Sequence, residues 1–193
     1  MLPDAIFMMG PQGSGKGTQA GILAGRLNFF HWDMGAVLRQ ERDRKLSSGE
    51  TVGEIVDTGT YLTDAQLIEI LESRLSELPL DKGIIFDAVP RRLGQAEFLL
   101  DFLRKRGKKI FYTVYIDIPH EESIKRLLLR AKAEGRADDT RESIEKRLKQ
   151  HKEATLPILD YMCANTVFME IDGRLAIPEV TAQINRALGL GGA

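Results

Sequence analysis

The sequence predicts an α/β fold, a parallel sheet covered by helices on both faces. Three observations carry this. Short, almost wholly apolar runs recur along the chain, as expected of strands buried on both sides. Segments with apolar residues at three- and four-residue spacing lie between them. A glycine-rich turn joins the first apolar run directly to the first such segment.

Taken in order, "AIFMMG" at 5–10 reads as a short buried strand. Ala20, Leu23, Ala24 and Leu27 then carry the helical period. Residues 33–62 are polar, with glycines at 49, 53 and 59, and read as a small helical insertion with a weak core of its own. Thr63 followed by Gln66 is a capping-box pattern that opens a helix bearing Leu67, Ile68, Leu71 and Leu75. "GIIFD" at 83–87 is a second strand candidate. "IFYTVYID" at 110–117, rich in β-branched and aromatic residues, is a third, and "TVFMEID" at 166–172 a fourth. Ile124, Leu127, Leu128 and Ala131 form one helical stripe; Ile144 and Leu148 continue another. Between these two, "AKAEGRADD" at 131–139 is polar and reads as a short flap.

Bulk properties narrow the function classes. The 193 residues suffice for one sizeable core with a small insertion or lid. A formal net charge of -1 gives a nucleic-acid partner no support. The single cysteine, Cys163, permits neither a disulfide framework nor a four-cysteine zinc cluster, and reads as a small buried hydrophobe. The start, "MLPDAIFMMG", has no basic n-region and only a brief apolar run. Neither an exported leader nor a membrane span is expected there, and the cytoplasm is the expected location.

Chemistry concentrates in three places. In "GPQGSGKGTQ" at 10–19, Gly10, Gly13, Gly15 and Lys16 match G-x-x-x-x-G-K, placed after a strand and before a helix. Glycines let backbone N–H groups converge on an anion, and the helix N-terminus adds its positive end. The hydroxyl that switch-type nucleotide hydrolases carry directly after the lysine is displaced: Gly17 follows Lys16, and Thr18 comes one later. In "FDAVPRRLGQ" at 86–95, Asp87 ends a strand at the edge where open parallel sheets bind ligands. A carboxylate there can hold Mg2+ through water or simply pair with an arginine. Arg91 follows it, and Arg39 sits in the polar insertion; guanidinium forks suit phosphate oxygens, though each alone would be an ordinary surface residue. Around the flap, Arg126 and Arg130 share a helix face, and Arg136 and Arg147 follow. These are either a salt-bridged exposed helix pair or cations that close over a transferring phosphoryl group. His31, beside Trp32, reads as structural, and His120 and His151 lack metal-ligand spacing.

These residues together resemble the adenylate kinase family of nucleoside monophosphate kinases, over nearly the full chain. "GPQGSGKGTQ" is similar to the family's nucleotide loop, including the glycine between lysine and threonine. "DAVPR" followed by Gln95 resembles its D-G-(F/Y)-P-R with a downstream glutamine, and "GRADD" followed by "KRL" resembles its lid segment. The resemblance implies a P-loop three-layer α/β/α fold with a five-stranded parallel sheet, a small helical NMP-binding insertion and a short lid. The core would comprise 1–32, 63–129 and 140–193, the NMP-binding part 33–62, and the lid 130–139. The longer zinc-bearing lid has neither room nor cysteines here.

The resemblance also implies roles. ATP would lie on Gly13, Ser14, Gly15, Lys16, Gly17 and Thr18, with Lys16 on its phosphates, Arg126 packed on the donor base and Arg130 reaching the donor phosphates. Arg39 and Arg91 would hold the phosphate of AMP, and Gln95 would read its base. Met34, Thr60, Leu62 and Ala88 would line that base pocket. Arg136 and Arg147 would bridge the two substrates. Asp87 would hold Mg2+ through water, with Thr18 a second candidate. The implied reaction converts ATP and AMP reversibly into two ADP, catalysed through Lys16, Arg130, Arg136, Arg147 and Asp87, in a monomer. Where the family reads H-x-S-T-G-D-x-(L)-R, this chain has "HWDMGAVLR": Asp33, Met34 and Ala36 replace serine, threonine and aspartate. Ala88 and Val89 replace the glycine and aromatic of the second motif. The phosphate-holding ends are retained and the base-reading middle differs. Three other readings stand beside the main one: a related kinase with another acceptor, a P-loop switch, and a member that binds nucleotide without transferring phosphate. Gly17 and the lack of N-K-x-D weigh against the switch; the retained arginines weigh against the inactive member.

Overall fold

The computed structural model describes residues 2–79, 81–134 and 140–191. Its centre is a five-stranded, wholly parallel sheet built from β1 (Ala5–Met9), β2 (Phe30–Asp33), β3 (Ile84–Asp87), β4 (Phe111–Asp117) and β5 (Val167–Asp172), in the order β2-β3-β1-β4-β5. The helices are α1 (Lys16–Leu27), α2 (Met34–Gln40), α3 (Val52–Asp57), α4 (Asp64–Leu75), α5 (Leu93–Lys105), α6 (His120–Glu134), α7 (Arg141–Asn165) and α8 (Ile177–Ala187).

Period-two alternation in the strands creates the three layers. In β1, Ala5, Phe7 and Met9 face one cluster, together with Phe86 of β3 and Leu99, Leu100 and Leu103 of α5. Ile6 and Met8 face the other, with Ile85, Val114 and Ile116 of the sheet, Leu23 of α1 and Ile184 of α8. Every residue of β1 and β3 is buried, so neither strand could show a polar face. Phe7 and Phe86 stack across adjacent strands, with ring centroids 5.1 Å apart. The Ile124, Leu127, Ile144 and Leu148 stripes of α6 and α7 meet in a third, smaller cluster.

β2 is the strand that periodicity did not indicate. It is a four-residue edge strand in which only Trp32 is buried. Residues 130–134, placed in the lid by the resemblance, continue α6 to Glu134, and α7 starts at Arg141. The rest of the flap, Arg136 included, lies outside the described residues. The polar insertion supplies Met34, Leu46, Val52, Ile55 and Leu62 to the same cluster as Phe7, so its packing is joined to the main core. Cys163, expected to be buried, is exposed on α7: its neighbour Met162 takes the core-facing position. Helix α7 runs through Pro157, which has no N–H for the helical ladder. No described helix is long and apolar enough to cross a membrane.

β1 is central, with β2 and β3 on one side and β4 and β5 on the other. The sheet order reverses there, and a crevice at the C-terminal edge of such a point is where open α/β sheets bind ligands. Gly10 follows β1 at that edge, and Asp33 and Asp87 end β2 and β3 as paired residues.

Candidate active site

The phosphate loop is shaped by close approach. A Cβ at Gly10 would lie 2.2 Å from the Ile116 carbonyl oxygen, so only glycine lets the loop leave β1 against the end of β4. Gly15 caps α1 in the left-handed conformation, where the first helical N–H groups point outward for an anion. The Ser14 hydroxyl is buried in the loop with no hydrogen-bond partner among the described residues, a donor available to an oxyanion. Thr18 is exposed on the first turn of α1.

Gly17 has a local cause. A Cβ there would lie 3.0 Å from Asp87 Oδ2, so the Asp87 carboxylate occupies the space a serine or threonine would fill. Asp87 is 6 % exposed, and its Oδ1 has no hydrogen-bond partner among the described residues. His31 Nε2 lies 3.7 Å from Oδ2, too far for a hydrogen bond but close enough for its charge to be felt. That carboxylate raises the His31 pKa against the opposing effect of burial, and Asp33 adds to the rise. Sequence placed His31 as structural; the fold sets it against the carboxylate of the site.

Lys16 donates to the Pro11 carbonyl at 3.1 Å. Its side chain is half-buried, but its ammonium is crowded by protein. Burial lowers its pKa to about 8, Asp87 opposes this, and Arg91 and Arg130 reinforce it. The charges of Asp87, Arg91 and Arg130 thus all bear on the Lys16 ammonium. Positive charge gathered on Lys16, Arg91 and Arg130 suits a polyanionic ligand.

Beside the loop opens a cavity of about 680 Å3. Met34, Arg39, Thr60, Leu62, Ala88, Arg91, Gln95 and Arg147 all line it, drawn from five separate segments. Gln95 is 1 % exposed; its Oε1 accepts from the Arg91 backbone N–H at 2.8 Å and keeps a second lone pair. Arg91 Nε donates to the Ala88 carbonyl at 2.9 Å, which fixes the guanidinium at the cavity wall. Arg147 donates to the Ser143 carbonyl at 3.2 Å. Asp33 accepts from the Ala36 N–H at 3.1 Å as the cap of α2, and its other oxygen lies 3.6 Å from Arg39 Nη2. Asp33 is therefore a helix cap that also pairs with Arg39 at the cavity wall. The Arg42–Asp57 ion pair, which motif reasoning did not single out, also lines this cavity.

A smaller cavity, about 30 Å3, lies against Lys16. Tyr61, Ala88 and Arg91 line both cavities, so these three form the shared wall. His151 lines the small one. Burial lowers its pKa to about 4, and Lys16 and Arg91 push the same way, so it is neutral at pH 7. Neither Tyr61 nor His151 carried a local sequence signal.

Arg126 is anchored away from both cavities. Its Nε donates to Glu122 at 2.7 Å and its Nη1 to the Gly173 carbonyl at 2.9 Å, which fixes the guanidinium beside the β5–α8 turn.

The adenylate kinase family model matches residues 8–167. The chain belongs to the adenylate kinase family. Curated relatives extend the match to almost the whole chain. The adenylate kinase of Thermus thermophilus is 38 % identical over 186 residues, 96 % of this chain and 97 % of the relative. Those of Xylella fastidiosa and Stenotrophomonas maltophilia are 36 % and 34 % identical, each across 95 % of this chain and 98 % of their own. The short connection from Glu134 to Arg141 makes this the short-lid form of the adenylate kinase family. Family membership carries nucleotide binding and phosphotransferase activity.

Proposed function

We propose that the protein catalyses reversible phosphoryl transfer from ATP to AMP, giving two ADP. The observation that carries this is the shared wall: a guanidinium-lined cavity with a buried glutamine abuts the lysine of a phosphate loop. Two phosphates held on either side of Arg91 would face each other. In this reading Lys16 and the loop amides hold the donor phosphates, and Arg39 and Arg91 hold the acceptor phosphate. Arg126 lies against the donor base, and Gln95 addresses the acceptor base through its amide.

The acceptor phosphate oxygen attacks the γ-phosphorus. One P–O bond forms, the bond to the β–γ bridging oxygen breaks, and ADP leaves as the anion. No general base is required, because the nucleophile is already an oxyanion. Charge accumulates on the equatorial oxygens, and Lys16, Arg130, Arg136 and Arg147 are the cations that would neutralise it. Exclusion of water from the transferring group would protect the donor from hydrolysis. The site fits Mg2+: Asp87 keeps a buried oxygen with no hydrogen-bond partner among the described residues, and one carboxylate suits a cation that takes most ligands from water and phosphate. Asp87 would hold the ion through water, with Thr18 beside it, and the ion would offset charge on the donor phosphates. In this reading both phosphate sites belong to one chain, so a monomer would suffice, and the cytoplasm is its proposed location.

The test is an acceptor series with ATP as donor. AMP should be turned over faster than CMP, UMP, GMP or dAMP. A faster reaction with any of the others overturns the assignment of the acceptor.

A further inference from the structure

The wall between the two cavities contains a residue whose contacts reach further than its position in the insertion requires. Tyr61 is buried. Its hydroxyl accepts a hydrogen bond from Gln12 Nε2 of the phosphate loop and donates to the Arg147 carbonyl at 3.3 Å. Its backbone N–H donates to Gln150 Oε1 at 3.0 Å. The Arg91 guanidinium lies over its ring, 4.9 Å from the centroid. One side chain thus touches the phosphate loop, helix α7 and an arginine common to both cavities.

An apolar side chain would fill this wall equally well. A hydroxyl here is buried, and stays inexpensive only while its partners remain in place. Gln12 depends on it too: its Oε1 is buried with no hydrogen-bond partner among the described residues, so Tyr61 is what fixes the amide. Thr60 and Leu62, on either side of Tyr61, line the large cavity. A shift of this segment therefore moves a hydrogen bond to the phosphate loop, and a shift of the loop moves the cavity wall.

We propose that Tyr61 is a positioning residue that couples the large cavity to the phosphate loop, so that filling one site orders the other. The proposal rests on donor nucleotide binding at the phosphate loop, and needs no particular acceptor. Coupling of this kind is reciprocal.

The experiment uses the full chain with Mg2+ and the non-transferable donor β,γ-methylene-ATP. Its affinity is measured by calorimetry, and amide exchange is followed across residues 58–63 with and without it. In the wild type, saturation should slow exchange at Tyr61 and Leu62 about fivefold, the size of one hydrogen bond made or secured. Tyr61→Phe keeps the ring beneath Arg91 and removes both hydroxyl hydrogen bonds. It should still bind the analogue, with the slowing reduced below about twofold. Gln12→Leu breaks the same link from the opposite side and should reproduce that loss. Undiminished slowing in either variant, with the analogue bound, overturns the coupling alone. Failure of the wild type to bind the analogue overturns the donor site and the coupling together.

Discussion

Ala88 has a φ of 62°, the left-handed region that side chains with a Cβ avoid. It lies just after β3, where its carbonyl accepts from Arg91 and its methyl lines both cavities. Ala88→Gly should relieve the strain and stabilise the protein by about 1 kcal/mol, after allowing for the greater freedom of glycine in the unfolded chain. A rise in the urea midpoint at unchanged slope would show it. His151 offers a pH signature. Its folded pKa of about 4 lies below its unfolded value, so the stability it contributes is complete above about pH 6.5 and lost as pH falls towards 4. The loss amounts to at most about 3 kcal/mol. His151→Gln should flatten that part of the wild-type stability curve, a difference that denaturation at pH 7 and pH 4.5 would reveal. Asp33→Asn keeps a competent cap for α2 and frees Arg39 of a competing charge. The pair is largely exposed, so under the proposed function the KM for AMP should fall only modestly, about two- to threefold.

At the scale of elements, the start of α1 is constrained by the end of β3. Gly17→Ala would favour the helix by up to about 1 kcal/mol. It would also press a methyl against the Asp87 carboxylate, which must move by a few tenths of an ångström. Stability should therefore change little while kcat falls about tenfold, because a small misplacement of a charged group at the reacting centre is costly. Steady-state rates and a melting curve, taken together, separate the two effects. The same strand ends explain which elements were legible. β1 and β4 announce themselves as apolar runs because the sheet is covered on both faces. β2 does not: a four-residue edge strand with one buried side chain leaves no period to detect. The capping box of Thr63 and Gln66 was legible because it is written within four consecutive residues, and both of its hydrogen bonds form.

At the scale of the whole molecule, legibility follows distance along the chain. Lys16, Asp87, Arg91 and Gln95 can be singled out from sequence because each lies in or just after a short motif. Tyr61 was missed because its partners lie 49 residues away at Gln12 and 86 away at Arg147. His151 was missed because only the fold sets it beside Lys16 and Arg91. Cys163 was misplaced because composition favours burial, and only the packing of α7 decides that Met162 faces inward instead. What the fold adds is the convergence of two cavities, one against Lys16 and one lined by Arg39, on a wall that contains Arg91. The proposed function requires two adenine-nucleotide sites and a transfer that runs in either direction. Incubation of the purified protein with Mg2+ and ADP alone, followed by separation of the nucleotides, tests this most directly. Equal amounts of ATP and AMP are the predicted result; ADP left unchanged, in a protein that still binds it, would contradict the account.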